Sequence, residues 1–369
     1  MWIQDIKLHN FRNYFYEKVN FNDSINIFIG DNAQGKTNLL ESCYYLANAT
    51  SFKKLRDKDI IKFGQDKMEL AGTIRKGRSF KKVSISVEGY DKNIFVNEVE
   101  YKRNKDLKSL FKLVLFTPED LSIIKEGPNL RRDLLDEIIT SIDFSYGRVK
   151  KDYDKILFAR NKLLKNRTSS YFNEQLSAFD MSLVKEGYRI YKSRLKFVKF
   201  IEKYANDFQT ALTAGKENLE IDYLPDISAE SFDEYYNKFL KKRDEDLRYL
   251  STQAGIHRDD IIIKINGKNT RLFASQGQQR SAIINIKLAE VKLLREITGD
   301  RAVILLDDVF SELDEKRSSF LLDNLSDYQT IITATNTKSL ESVPLDKISY
   351  ISDGRIRKEK YDRKQLWCW

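Results

Sequence analysis

The sequence predicts an α/β protein in which a mixed sheet carries a phosphate-binding loop and is interrupted by an inserted α-helical arm. Three observations predict it. The apolar run Ile25–Ile29 leads into Gly30–Thr37, which fits G-x-x-x-x-G-K-[ST], with a helical pattern (Leu39, Leu40, Cys43, Leu46) after it. A second apolar run, from Ala302, ends in the carboxylate pair Asp307-Asp308. Between them, from about 130 to 205, β-alternation disappears and apolar residues recur at spacings of three and four. At 369 residues the chain holds about two domains with ample core.

Taken in order, residues 1–29 read as strand, turn, strand, with the second run spanning Val19 to Ile29. A basic stretch, Ser51–Arg56, follows the loop's helix and offers Lys53, Lys54 and Arg56 to solvent and to a polyanion. Residues 68–101 alternate as antiparallel strands, and Leu113–Phe116 is one more strand, closed by Thr117-Pro118. Gly127-Pro128 opens the arm. Between 148 and 203 there are 15 lysines and arginines against 6 aspartates and glutamates, an excess equal to the chain's formal charge of +9. Such a local bias points to nucleic acid as readily as to a solvated face. Residues 231–250 read as another charged helix. After Gly255 come the strands Asp260–Ile265 and Arg271–Phe273 joined at Asn266-Gly267, then a helix to about Ile297, and the strands Ala302–Leu306, Thr330–Ala334 and Ile348–Ile351. The expected division is 1–127 for the first part of the head, 128–250 for the arm and 251–369 for the rest of the head.

Composition narrows the chemistry. Cys43 and Cys368 are too few for a disulfide framework or a zinc site and fit a reducing cytoplasm. No run approaches a membrane span. His9 and His257 are the only histidines, so histidine-based triads are poor candidates. The cradle Gly30-Asp31-Asn32-Ala33-Gln34-Gly35-Lys36-Thr37-Asn38 uses its glycines to turn tightly and aim backbone N–H groups inward. Lys36 can reach the outer phosphates of a nucleoside triphosphate, and the Thr37 hydroxyl can ligate Mg²⁺. Asp307 would hold the same ion, and Asp308 stands where a general base could polarise an attacking water. Ser275-Gln276-Gly277-Gln278, at the start of a long helix, presents a hydroxyl and N–H groups at a positive helix end, a second anion site in a chain with one P-loop.

That second site is similar to the Ser-Gly-Gly-Gln signature of the ATP-binding-cassette superfamily, which caps ATP bound to the opposite subunit, and Ser311–Asp314 resembles the loop crossing that interface. The resemblance implies that Ser275, Gly277 and Gln278 complete the site of another copy. It narrows on Asn10-Phe-Arg-Asn-Tyr14, Gly30–Glu41, Phe116–Leu121, Gly127–Arg132, His257-Arg-Asp-Asp260, Phe273–Arg280 and Leu306–Asp314, all of which resemble the RecF family of bacterial recombination-mediator ATPases. That family implies an ABC-type, SMC-like P-loop ATPase head with a mixed sheet and a short arm. It implies ATP and Mg²⁺ as cofactors, with Arg12 on the adenosine or α-phosphate side. It also implies an ATP-bound homodimer on single-stranded, gapped or junction DNA, and a weak DNA-dependent ATPase. RecR and RecO would be its partners in loading RecA and in normal SOS induction, in the cytoplasm at the nucleoid.

Two departures from the superfamily stand out. Asp308 occupies the place of a longer glutamate, and Thr335-Asn336 the place of a switch histidine, so slow turnover is expected. Glu119 or Asp120 lies near the place of the usual glutamine loop. A transporter subunit fits poorly with the basic arm and with Gln276 in place of glycine. An arm of about 120 residues folded on itself reaches only tens of ångströms, too short for a long chromosome tether. Another SMC-like ATPase acting on chromosomal DNA is the alternative.

Overall fold

The computed structural model describes residues 1–102, 107, 110–166, 170–336 and 347–357, so Cys368 and the last dozen residues lie outside the described part. The chain forms two compact units, residues 1–120 with 294 onward, and residues 121–293. This differs from the expected three-part division. Residues 251–293 belong with the helices, because the strand at 260–265 pairs inside that unit.

The first unit holds two sheets. One is antiparallel, built from β1 (Trp2–Phe11), β2 (Tyr14–Asn20), β4 (Lys67–Lys76), β5 (Ser79–Glu88), β6 (Asp91–Val96) and β7 (Val99–Glu100), in the order β2-β1-β4-β5-β6-β7. The other comprises β3 (Ile25–Ile29), β8 (Leu113–Phe116), β12 (Val303–Asp307), β13 (Thr330–Ala334), β14 (Ile348–Ser352) and β15 (Arg355–Arg357). Its order is β15-β14-β3-β13-β12-β8, parallel throughout except for β15. Every residue of β12 and β13 is buried, as a strand covered on both faces requires. Helix α1 (Lys36–Asn48) buries Leu39, Leu40, Cys43 and Leu46 in one core with Leu8 and Leu70 of the antiparallel sheet and Leu305 of the parallel one. Gln329 stitches the two sheets by bonding both the N–H and the carbonyl of Ile3, each at 2.7 Å. The expected single run Val19–Ile29 is two strands in different sheets. The buried Asn26 side chain accepts from Asn22 N (2.7 Å) and donates to the Asn22 and Ser24 carbonyls (2.9 Å), which fixes a turn there. Helix α8 (Glu315–Leu325) follows β12 and is capped by Asp314.

The second unit contains α2 (Pro128–Ile142), α3 (Phe144–Lys165) and α4 (Phe172–Thr213), the last with 42 residues and about 63 Å long. Gly127 caps α2 and Pro128 takes its first position, where a missing N–H costs nothing. The expected helical arm, 128–250, also contributes a strand beyond its helical stretch of about 130 to 205, β9 (Leu219–Leu224). It pairs antiparallel with β10 (Asp260–Ile265), which continues to β11 (Lys268–Asn269). Residues 231–250 form two helices, α5 (Phe232–Leu240) and α6 (Arg243–Tyr249), rather than one. Helix α6 supplies Asp246, one of two fully buried carboxylates on the fully buried Arg160, at 2.7 Å. Arg271–Phe273 is a helical turn and not a strand, because the Asn269 side chain accepts from Arg271 N (2.9 Å) and starts helix there. Helix α7 (Gln276–Thr298) then runs as expected.

Candidate nucleotide site

The loop Gly30–Gly35 links the end of β3 to the start of α1, so a buried strand and a helix N-terminus fix its two ends. The Gln34 carbonyl accepts from Asn13 Nδ2 (3.1 Å) and Gly354 N (3.2 Å), and the Gly35 carbonyl from the Tyr14 hydroxyl (3.0 Å). With those carbonyls pinned on one side, planar trans peptides turn the N–H groups of Gly35 and Lys36 to the other. Asn13 Oδ1 also accepts from Asn38 Nδ2 (2.9 Å), tying the loop to the first turn of α1. Gly35 sits at φ +114°, and a Cβ there would lie 2.6 Å from Asn13 Nδ2, so both backbone and space demand glycine. At Gly30 an added Cβ would strike the Ile351 carbonyl. Asp31, Asn32 and Ala33 form the exposed rim, with Ala33 in the left-handed region at φ +66°.

The charged groups gather around this loop. Lys36 Nζ donates to the carbonyls of Gly30 (2.6 Å) and Asp31 (2.9 Å). Burial lowers its pKa, against the opposing pull of Asp308, Asp307 and Asp31. Thr37 Oγ1 donates to Asp307 Oδ1 at 3.0 Å, across 270 residues of sequence, and Thr333 Oγ1 donates to the same oxygen at 2.8 Å. Burial raises the Asp307 pKa while these two hydroxyls lower it. Asp308 lies just past the end of β12 at φ +50°, with its N–H held by the Thr333 carbonyl (3.1 Å) and hydroxyl (3.2 Å). Its Oδ1 is buried without a hydrogen-bond partner, and burial raises its pKa while Lys36 draws it back down. A carboxylate oxygen without a partner, within the electrostatic reach of Lys36, marks Asp308 as a candidate functional group.

A hydroxyl and a carboxylate in contact, at the start of a helix, fit Mg²⁺, whose six oxygen ligands in such sites include one or two from protein side chains and the rest from phosphate and water. The glycine cradle and the re-aimed N–H groups fit a polyphosphate. The expected Gly30–Asn38, Asp307 and Asp308 are thus brought together. Glu119 is among the charges acting on Asp307, and Asp120 instead accepts from Thr117 N (2.9 Å).

Arg12, expected beside the nucleoside, is committed elsewhere. Its guanidinium makes two 2.8 Å bonds to the fully buried Glu41 and one of 2.6 Å to the Asp59 carbonyl. Glu41 also accepts from Ser51, so this pair braces α1 against the basic loop. On that loop Lys53, Lys54 and Arg56 are exposed as expected, Arg56 pairing with Asp59 at 3.1 Å. Lys53 is among the charges that lower the Asp307 pKa.

Ser275, Gly277 and Gln278 lie in the second unit, at the start of α7. Ser275 Oγ accepts from Gln278 N (3.3 Å), and Gln278 Oε1 accepts from Ser275 N (2.9 Å), a reciprocal capping box. The remaining amide of Gln278 donates to Glu217 (2.8 Å). Ser275 itself is exposed, flanked by Leu272 and Phe273, each 70% exposed. Asn13, Tyr14 and Thr333 escape sequence reasoning as site residues. Asn13 and Tyr14 are inside a family-like motif, but nothing local shows that they reach Gln34 and Gly35, 21 residues on.

Comparisons with known proteins find relatives over nearly the whole chain. The family model described as RecF/RecN/SMC N terminal domain matches residues 2–357. The DNA replication and repair protein RecF of Lachnospira eligens is 37% identical over 365 residues, covering 97% of this chain and 100% of that protein. A solved structure of the recombination mediator protein RecF-ATP in RecFOR pathway has a TM-score of 0.88 and 35% identity, covering 97% of this chain and 98% of that one. An SmcHead bound to the C-winged helix domain of ScpA has a TM-score of 0.58 at 13% identity, covering 97% and 96%, a likeness of fold alone.

Proposed function

Because this chain belongs to the RecF family, we propose that it is an ATP-controlled DNA-binding switch of DNA replication and repair. The nucleotide closes a homodimer on single-stranded, gapped or junction DNA, and slow hydrolysis opens it. The observation that carries the reading is the convergence of Lys36, Thr37, Asp307 and Asp308, whose Oδ1 has no partner, around one glycine cradle. Lys36 leaves the Gly30 and Asp31 carbonyls for the outer phosphates, and Thr37 with Asp307 holds Mg²⁺. When bound, that ion supplies charge neutralisation for phosphoryl transfer. Asp308 accepts the proton of the attacking water. Ser275 and the N–H groups near Gly277 and Gln278 close over the nucleotide of the other copy, while Arg12 holds the cradle and the basic loop in register.

ATP hydrolysis is weak and stimulated by DNA, because a shorter base and Thr335-Asn336 in place of a histidine leave the water poorly activated. The protein acts with RecR and RecO to help load RecA and to support normal SOS induction, in the cytoplasm at the nucleoid. Lys53, Lys54 and Arg56 contribute phosphate contacts to DNA. Among the described residues no helix is long and apolar enough to cross a membrane. Sedimentation tests the reading. Wild type sediments as a dimer with ATP and as a monomer without it, and Ser275→Arg stays monomeric in both conditions. A wild type indifferent to ATP would overturn it.

A further inference from the structure

Helix α4 carries a charge pattern that the overall count conceals. Lys185, Arg189, Lys192, Lys196, Lys199 and Lys203 follow one another at alternating steps of four and three. At about 100° per residue they fall within a wedge of about 80°, and every position of that wedge from 185 to 203 is Lys or Arg. All six are exposed, on the side opposite the buried stripe Val184, Ile190, Tyr191, Arg194, Phe197, Val198 and Ile201. The acids of this segment, Glu186 and Glu202, lie off the wedge. On the neighbouring helix α3, Lys150 and Lys155 are matched by Asp154 (2.6 Å) and Asp152 (3.4 Å). On the α4 stripe Arg189 pairs with Glu186 at 3.0 Å, and the other five cations have no carboxylate within salt-bridge distance among the described residues. Lys196 and Lys203 rest over the rings of Phe197 and Tyr204 (6.0 and 5.5 Å), which steadies their stems.

We infer that this stripe is a binding surface for the sugar-phosphate backbone of duplex DNA. Surfaces that only keep a protein soluble intersperse both signs of charge. This one presents a single sign in a straight row about 27 Å long, the length of about eight base pairs. A rigid ladder of cations matches the regular phosphates of a duplex. Single strands are bound on stacking platforms, and along the stripe the only clearly exposed ring is Phe200, at 39%. No side chain of the stripe except Arg189 has the fork that reads base edges, so the contact is independent of sequence.

The inference rests on the proposed DNA binding, and the test separates the two. With ATP and Mg²⁺ present, affinity for a short random-sequence duplex and for a single strand of equal length is measured between about 50 and 200 mM salt. The proteins are the full chain and its Lys192→Ala/Lys196→Ala/Lys199→Ala and Lys192→Arg/Lys196→Arg/Lys199→Arg variants. For the duplex, the alanine variant loses at least tenfold in affinity, and the slope of log K against log salt falls by about 2.7, or 0.9 per phosphate contact. The arginine variant keeps both, and the single strand is affected much less. An alanine variant with unchanged slope and affinity, or with an equal loss for both DNAs, overturns the assignment. A wild type that binds neither DNA overturns the proposed function as well.

Discussion

At Asp308 one methylene separates this chain from a longer general base. The residue is held at φ +50° by Thr333, with its Oδ1 buried and unpaired. If Asp308 is the general base of the proposed function, a rigidly placed but short carboxylate would leave the attacking water farther from its acceptor, and general-base catalysis depends steeply on that reach. Asp308→Glu is therefore expected to hydrolyse bound ATP severalfold faster in single-turnover kinetics, and an unchanged or slower rate counts against the account. His257 gives a second prediction at this scale. Its Nε2 donates to the Thr252 carbonyl (3.2 Å), so its Nδ1 accepts from the Tyr153 hydroxyl (2.7 Å). Burial first, and then Arg258 and Arg132, lower its pKa from 6.5 to about 4 against the Thr252 carbonyl, which raises it. Between those values the unfolded chain binds the proton and the folded one does not, so acidification through this window destabilises the fold by up to about 3 kcal/mol. Urea unfolding at about pH 7 and about pH 5 checks it: His257→Gln loses less stability than wild type between the two.

At the scale of elements, what the sequence reveals depends on whether a signal is local. The strand, loop and helix around Gly30–Thr37 and the buried strand ending at Asp307 are legible because periodicity and glycine spacing lie within one stretch of chain. β9 is not. Its residues Leu219–Leu224 become a strand through pairing with β10, some forty residues on, and that partner is invisible to a local window. Arg271–Phe273 has the apolar look of a strand, but the Asn269 cap decides for helix. The break between β2 and β3 depends in the same way on one side chain, Asn26. Within the site, Lys36, Thr37, Asp307 and Asp308 are legible as residue types, whereas their support is not. Asn13, Tyr14 and Thr333 act through contacts that only the folded sheet creates. Arg12 shows the converse. Its motif invites a nucleotide role, and the fold gives it Glu41.

Across the whole molecule, the first unit holds a phosphate cradle with its own carboxylates, and the second holds a capped helix start carrying Ser275. Under the proposed function, a second copy would bring its Ser275 end to this cradle, so that each copy would complete the other's site. The basic face of α4 would add DNA to the same assembly. The measurement that tests this most directly mixes two inactive proteins. Ser275→Arg keeps an intact cradle and Asp308 but cannot cap a partner, whereas Asp308→Asn caps a partner but cannot activate water. A mixed dimer contains one site built from the sound half of each. Equimolar mixing is predicted to restore DNA-stimulated ATP hydrolysis well above either variant alone. A mixture no more active than the sum of its parts would mean that Ser275 and Asp308 never serve the same nucleotide, and would contradict the account.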